Sequence, residues 1–513
     1  LKAAETRLAG LAGMSQQWTH QMALASLVLS GALQRRAECA TSSLANGRRF
    51  CAGPGGDASF SHGSQQPCLV ILDEQASGGA SMLEWRNWSG SVRATPGQIA
   101  KPTTEAELAR LVAESQMVRA VGAGHSFMPL CATNGVLVSL EALEGEIEID
   151  AVANQVWAPA GFSLKRLTSL LWERGYSLIN QGDVNPQSLA GAISTGTHGT
   201  GANLGSLSTA ARAFRLVLAD GSVVTCSPDE RQDLFQAQRL SLGLLGIATR
   251  IKIDVLPAYH LEERLEAMHI DEVVEQWDEL SAANRHVEFF VFPYGEYALL
   301  KRLNPAPAEG ELKVMNDVED AAFQRVCDVC AMFPALVPIL QKYLISSKLR
   351  SRRVGPAFQI FPSERSVRFE EMEYEFPRAN GLAALKAVIQ HIRKGRLPVA
   401  FPFEFRIAAG DDIWLSPFCE GAGMAGGGAS ISMHQYAKMP WRDAFAEGER
   451  IFRDHAGRPH WAKRHNLTAE DVRALYPMAD RFRAVRDAVD PTGKFTNAHL
   501  GALFPHAAMS EAA

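Results

Sequence analysis

The sequence predicts an α+β protein with more than one domain, and three observations carry that reading. The chain has 513 residues, well beyond the usual domain size of about 100–200 residues. Between residues 83 and 258, short apolar runs of strand character alternate with amphipathic helical stretches. Pro257 and Pro293 then break the pattern, and residues 259–455 mix strands with helices such as Asp317–Met332. No internal repeat is visible.

Residues 1–82 read as an N-terminal extension. Residues 1–56 carry six Lys/Arg against two acids and are rich in Ala and Ser, which points weakly to organellar targeting. The stretch from Gly53 to Ser81 is rich in Gly, Ser and Gln and reads as loop or disorder. The simpler expectation is that the native chain starts at Met82 and the upstream residues are not native.

The elements that follow have local reasons. Thr103-Thr104-Glu105-Ala106-Glu107 opens a helix through Val118, with a threonine cap and acids in the first turn. Arg119-Ala120-Val121 is a short strand, and Val136–Leu140 and Gln155–Ala158 are two more. Ser163 caps a helix that runs to Gly175. Phe214–Leu218 and Val223–Thr225 flank Asp220-Gly221, the turn chemistry of a β-hairpin. Ile247 to Val255 alternates as another strand.

Composition removes several function classes. With 47% hydrophobic and 21% charged residues the chain is neither disordered throughout, fibrous nor a polytopic membrane protein. A net charge of −5 gives no electrostatic case for nucleic acid. No segment reaches the ~20 apolar residues of a membrane span; Met22–Leu33 is short and interrupted by Ser26 and Ser30. Eight cysteines in so long a chain form no disulfide framework. Cys327 and Cys330 make a CxxC without a second pair, so they read as two positions of a helix, and no metal site is expected. A reducing compartment, the cytoplasm, is the simplest reading.

Two glycine-rich motifs carry chemistry. Gly122-Ala123-Gly124-His125-Ser126-Phe127 follows a strand, and its glycines let backbone N–H groups approach a pyrophosphate. It is not the dinucleotide fingerprint, because Phe127 stands where a third glycine is required. Taken alone, an ordinary tight turn explains it better. The run Gly182–Gly201 consists mostly of small and hydroxyl-bearing side chains, and it includes Ser188, Ile193, Gly196, Thr197, His198 and Thr200. It is poor core material and poor helix, but a good backbone-rich cradle for a large polar ligand.

Together the two motifs resemble the FAD-binding segments of the vanillyl-alcohol-oxidase-type flavoproteins. The C-terminal half resembles the sugar-1,4-lactone oxidases, with the alditol oxidases as close relatives. The matching pieces there are Met372-Glu373-Tyr374, Glu404-Phe405-Arg406, Asp412–Pro417, His460-Trp461-Ala462-Lys463 and Asp490–Phe495. This resemblance implies an FAD domain over 83–258 completed by 456–513. It also implies a cap domain over 259–455 whose antiparallel sheet roofs the flavin. FAD is expected to contact both cradles and Ile247, and to be covalently linked through His125. Membrane association is a further possibility that relatives suggest.

Glu404 and Arg406 project from one face of the strand Phe403–Ile407, where a carboxylate and a guanidinium side by side can hold a vicinal diol. A surface ion pair is the commoner reason for such a doublet, but the flanking Phe401, Phe403, Phe405 and Ile407 argue for a buried strand. Lys463 is singled out only by the resemblance, which places it near flavin and substrate. His434 sits on a strand and suits a packing role as well as a catalytic one. The expected reaction is oxidation of a sugar 1,4-lactone at the hydroxyl next to the carbonyl, with O2 reduced to H2O2. An alditol oxidase acting on a terminal CH2OH is the alternative, or a lactone dehydrogenase with another acceptor. Gly182 bears on that acceptor: in the resembling family it lies beside the reactive edge of the flavin, and plant dehydrogenases that exclude oxygen carry alanine there.

Overall fold

The computed structural model describes residues 83–308, 317–363 and 366–506. The expectations for residues 1–82, extension and targeting alike, lie outside the described residues.

Three sheets of three or more strands organise the described residues. The smallest is parallel, in the order β1–β3–β2, from Gln98–Ala100 (β1), Val118–Val121 (β2) and Val136–Ser139 (β3). Helix α1 (Glu105–Glu114) joins β1 to β2, and the Thr104 side chain accepts from the Glu107 amide as its cap. The helix ends about a turn before the expected Val118. Ser115 is extended, its hydroxyl donates to the Leu111 carbonyl, and Val118 is buried in β2 instead.

An antiparallel sheet follows in the order β7–β6–β8–β5–β4. Its strands are Glu148–Asp150 (β4), Gln155–Pro159 (β5), Ala211–Val217 (β6), Val223–Cys226 (β7) and Ile247–Asp254 (β8). The β6–β7 hairpin turns at Asp220-Gly221, where the Asp220 carboxylate accepts from the Ser222 amide at 2.8 Å. Helix α2 (Leu164–Glu173) starts at its Ser163 cap.

The second cradle corrects one expectation. Within Gly182–Gly201, residues Leu189–Thr195 form a helix (α3), although small residues are weak helix formers. Tertiary packing overrides propensity here: Leu189, Ala192 and Ile193 are buried in the core. The Ser188 side chain accepts from the Gly191 amide, and Gly196 ends the helix at φ +78°, a conformation that favours glycine.

The largest sheet is antiparallel, in the order β12–β9–β11–β10–β14–β15–β13–β16. Its strands are His260–His269 (β9), His286–Val291 (β10), Tyr297–Ala306 (β11), Arg350–Pro356 (β12), Phe369–Pro377 (β13), Phe403–Ala408 (β14), Gly428–Tyr436 (β15) and Arg458–Pro459 (β16). One face is apolar. There Phe289, Tyr374, Phe376, Phe405, Ile431 and Met433 pack with buried residues from two helices, Arg378–Gly395 and Arg442–Asp454. Cys327 and Cys330 lie on the helix Asp317–Met332, where burial raises both thiols. They serve as packing residues.

The C-terminal residues return to the first sheets. Trp461, Tyr476, Phe482 and Phe504 share one core with Leu164, Phe214 and Ile251. Arg119 is buried and donates to the carbonyls of Leu130, Leu242, Gly243 and Phe495, tying β2 to this C-terminal segment. Among the described residues no single helix is long and apolar enough to cross a membrane.

Candidate active site

The other face of the large sheet is ionic. Side chains alternate along a strand, so Glu371, Glu373 and Glu375 of β13 oppose the apolar Met372, Tyr374 and Phe376. Strand register then brings charges from separate strands together. Glu371 pairs with His434 and Glu373 with Ser432, while Ser432 also faces Glu404 and Ser430 faces Arg406. Farther along, Glu288 of β10 pairs with Lys301 of β11. All of these residues are buried, and a charge taken out of water requires partners.

The partners are specific. Arg406 Nη2 lies 3.1 Å from Glu404 and 3.2 Å from Glu373, whose carboxylate also accepts from Ser430 Oγ at 2.8 Å. Lys463 Nζ pairs with Glu371 and stands 3.5 Å from Glu373. Burial pushes the Glu373 carboxyl up, but Arg406, Lys463 and His198 outweigh it and hold the group well below the usual carboxylate range. Burial lowers the Lys463 ammonium pKa, yet Glu371 and Glu373 raise it further, so the side chain stays a cation.

His198 and His460 show how neighbours set protonation. His198 Nδ1 is 2.8 Å from the Gly199 carbonyl, and Nε2 is 3.1 Å from Glu373 and 3.6 Å from Glu375. Both sides accept, so the ring carries two protons. Burial works against this, but Glu373 and Glu375 lift the pKa to about 9. His434 Nδ1 lies 3.1 Å from the Pro402 carbonyl and its Nε2 3.3 Å from Glu371. It therefore faces the charged cluster and not solvent. His460 has no such pair, and burial pushes it down to about 3.

The first cradle meets this cluster through Phe127. The Phe127 amide donates to the Ala462 carbonyl at 2.7 Å, and Lys463 Nζ stands 5.5 Å from the Phe127 ring centroid. His125 stacks on Trp88 at 5.4 Å. Burial, then the positive charges of Lys463 and Arg368, push the His125 imidazole down to about 4, so it is neutral near pH 7. Trp461 is fully buried and donates to the Leu415 carbonyl at 2.7 Å, a core role that positions its neighbours.

The two cradles also touch. A Cβ on Gly122 would lie 2.3 Å from Ser188 Oγ, so only glycine fits there. The amides of Ala123, Gly124, His125 and Ser126 find no acceptor among the described residues, which suits an anionic pyrophosphate. Not every expected contact residue is free to serve a ligand. Thr200 Oγ1 donates to the Val287 carbonyl and the Gly201 amide to that of Ile407, so both pin the cradle to the large sheet. Ile193 packs in the core, and Ile247 packs with Leu108, Val217 and Phe495. Gly182 and Thr197 lie beside His198: a Cβ on Gly182 would sit 3.0 Å from the His198 carbonyl oxygen and 3.7 Å from Thr197 Cγ2.

Sequence reasoning passed over Glu371, Glu375, Glu288 and Lys301. The signal for the first two was present, since a carboxylate recurs at every second residue of 371–375 between large apolar side chains. Among the described residues, two groups have the ligand atoms to surround a cation, His198/Glu373/His460 and Asp183/Glu288/Glu404. In each, protein cations already hold the carboxylates: Arg406 on Glu373, and Lys301 at 2.8 Å from Glu288 and 3.2 Å from Asp183.

Comparison with known proteins places this geometry. A family profile described as D-arabinono-1,4-lactone oxidase matches residues 251–503. One described as FAD binding domain matches residues 96–227, the span that holds both cradles. An L-gulono-1,4-lactone dehydrogenase of Mycobacterium tuberculosis is 38% identical over 423 residues, covering 80% of this chain and 97% of that protein. The chain belongs to the sugar-1,4-lactone oxidase family of FAD flavoproteins. An L-gulonolactone oxidase of Bos taurus is 28% identical over 82% of this chain and 98% of its own length. An alditol oxidase of Streptomyces is 31% identical over 81% and 97%. Beyond the sugar-1,4-lactone oxidase family, cholesterol oxidase from B. sterolicum shares the fold, with a TM-score of 0.70 at 16% identity over 85% of this chain and all of that one.

The His198 arrangement gives this family member a pH signature. Its folded pKa of about 9 exceeds the ordinary value of 6.5. The proton therefore stabilises the fold fully below pH 6.5, by on the order of 3 kcal/mol, and this is lost as pH rises towards about 9. Tm should fall across that window, and His198→Gln should flatten the slope. An unchanged slope in the variant would place the titration elsewhere.

Proposed function

We propose that this protein oxidises a sugar 1,4-lactone at the hydroxyl next to the carbonyl, giving the 2-keto-lactone, with O2 reduced to H2O2. Bound FAD would supply the two-electron chemistry. The observation that carries the reading is a pair of orphaned atoms: Glu404 Oε1 and Arg406 Nε are buried without a partner, although the two side chains contact each other. One accepts and one donates, the complement of adjacent hydroxyl groups. Lys463 would stabilise negative charge as the hydroxyl proton leaves. A panel of aldonolactones and alditols, assayed for both peroxide and dye reduction, tests this. Turnover of alditols alone would favour the alditol reading, to which the Streptomyces relative's name points.

The oxygen assignment rests on Gly182. Its φ lies outside the left-handed region, so backbone conformation does not explain glycine there. Alanine would fit only if the His198 carbonyl gave way by a few tenths of an ångström, leaving a methyl group in a tightly packed wall. Gly182→Ala should slow flavin reoxidation by O2 about tenfold or more, a barrier higher by about 1.4 kcal/mol, while sparing reduction by substrate. Unchanged reoxidation in stopped flow would remove the gate. A natural protein that reduces dyes but not O2 would be a dehydrogenase, as the 38%-identical relative is named.

A further inference from the structure

Beside Glu404 lies a small buried cavity between the second cradle and the large sheet. Gln181, just before the cradle, and Thr200 within it line one side, and His286, Glu288 and Lys301 line the other from β10 and β11. It adjoins the diol-binding pair, because carboxylate oxygens of Asp183, Glu288 and Glu404 all lie within 4.8 Å of one another. Lys301 sits between Asp183 and Glu288 and offsets their charge.

Two side chains lining the cavity leave polar atoms unmatched. Gln181 Nε2 and His286 Nε2 are buried with no hydrogen-bond partner, in residues 3% and 1% exposed. The state of His286 is fixed by its other nitrogen. Nδ1 lies 2.8 Å from the Thr200 carbonyl, which can only accept, so Nδ1 carries the proton. Burial pushes the ring down to about 3, so it is neutral and Nε2 presents a lone pair. The cavity thus offers one donor, the glutamine amide, and one acceptor, the imidazole nitrogen. A hydroxyl satisfies both, since it donates once and accepts twice. A carbonyl, an ammonium or a methyl group does not.

We propose that Gln181 and His286 form a subsite for the terminal hydroxyl of the substrate's exocyclic side chain. The subsite rests on the lactone reading above and adds the part of the molecule that reading leaves unplaced. With the reacting carbon near Glu404, Arg406 and Lys463, the side chain would point past Glu404 into this cavity. Lys301 would keep the neighbouring carboxylates from repelling one another. The enzyme would then select polyhydroxylated lactones over deoxygenated ones, because an analogue without the hydroxyl leaves both protein atoms unpaired.

The test compares L-gulono-1,4-lactone with its 6-deoxy analogue on the full-length holoenzyme. The deoxy compound should lose about 10²-fold in kcat/KM, mostly through KM. His286→Phe keeps the ring and loses the lone pair; Gln181→Met keeps the length and loses the donor. Each should bring the hydroxylated lactone down to the level of the deoxy compound, without further loss on the deoxy compound and with normal flavin content. Equal turnover of both lactones by the unaltered enzyme overturns the proposal and leaves the cavity to water, a result that needs no variant to fold. Loss of flavin in the variants also overturns it and assigns these atoms to the cofactor. Equal slowing of both lactones makes the two residues structural. If the unaltered enzyme oxidises alditols but neither lactone, the lactone reading itself fails and the subsite falls with it.

Discussion

Arg406→Lys should lower kcat/KM for the preferred lactone by about 10²-fold or more while FAD content stays normal. The arginine does two jobs that this substitution separates. Its charge balances Glu404 and Glu373, at 3.1 Å and 3.2 Å, inside a sheet face where neither carboxylate reaches water. Lysine keeps that charge, so the fold and the flavin cradles should survive. Alanine would leave the buried Glu404 carboxylate without its cation, at a cost of about 3–5 kcal/mol, and would confuse unfolding with lost catalysis. What lysine lacks is the planar fork. In the arginine, one edge holds the carboxylates while Nε–H is buried with no partner. That unmatched donor beside the unmatched Glu404 Oε1 is what a diol would occupy. Steady-state kinetics with a flavin-to-protein absorbance ratio decides the matter. Near-normal turnover would reduce the pair to an ionic tie within the sheet.

Replacing His125 by alanine should abolish acid-stable flavin. In the unaltered protein, acid precipitation should carry the yellow chromophore down with the polypeptide; in His125→Ala it should stay in the supernatant. The physical reason is the state of the imidazole. Burial and the charges of Lys463 and Arg368 hold it at about 4, so an unprotonated ring nitrogen is available to bond the flavin across the neutral range. Covalent incorporation into flavin-free protein should therefore change little between about pH 5 and 8 and fall as pH drops through about 4. Non-covalent binding should persist in part, since the amides of Ala123 to Ser126 do not depend on that side chain. Acid-stable flavin in the variant would move the linkage to another residue.

Local structure followed local rules where one element could satisfy them alone. The Thr104 and Ser163 caps, the Asp220-Gly221 turn and the strand at Ile247 stand where composition and period put them. The helix at Leu189–Thr195 was not legible, because its stability comes from burying Leu189, Ala192 and Ile193 against distant residues and not from its own propensities. In the candidate site, Glu404 and Arg406 were readable as neighbours on one strand. Glu371 and Glu375 were not, although their spacing is regular, because alternation shows that a face is charged but not what lies opposite it.

The sequence by itself determined the inventory: two glycine-rich cradles, a carboxylate–guanidinium doublet on an apolar strand, a lysine in a family motif, and strands whose charges share one face. Only the tertiary structure decided which charges meet and in what state. Cross-strand register sets Glu371 against His434 and Ser432 between Glu373 and Glu404. The surroundings then turn that placement into chemistry: Glu373 and Glu375 keep His198 protonated near pH 7 against its burial, while burial leaves His125 and His286 neutral. An imidazole's ordinary pKa lies so close to neutrality that its neighbours, and not its identity, determine its charge.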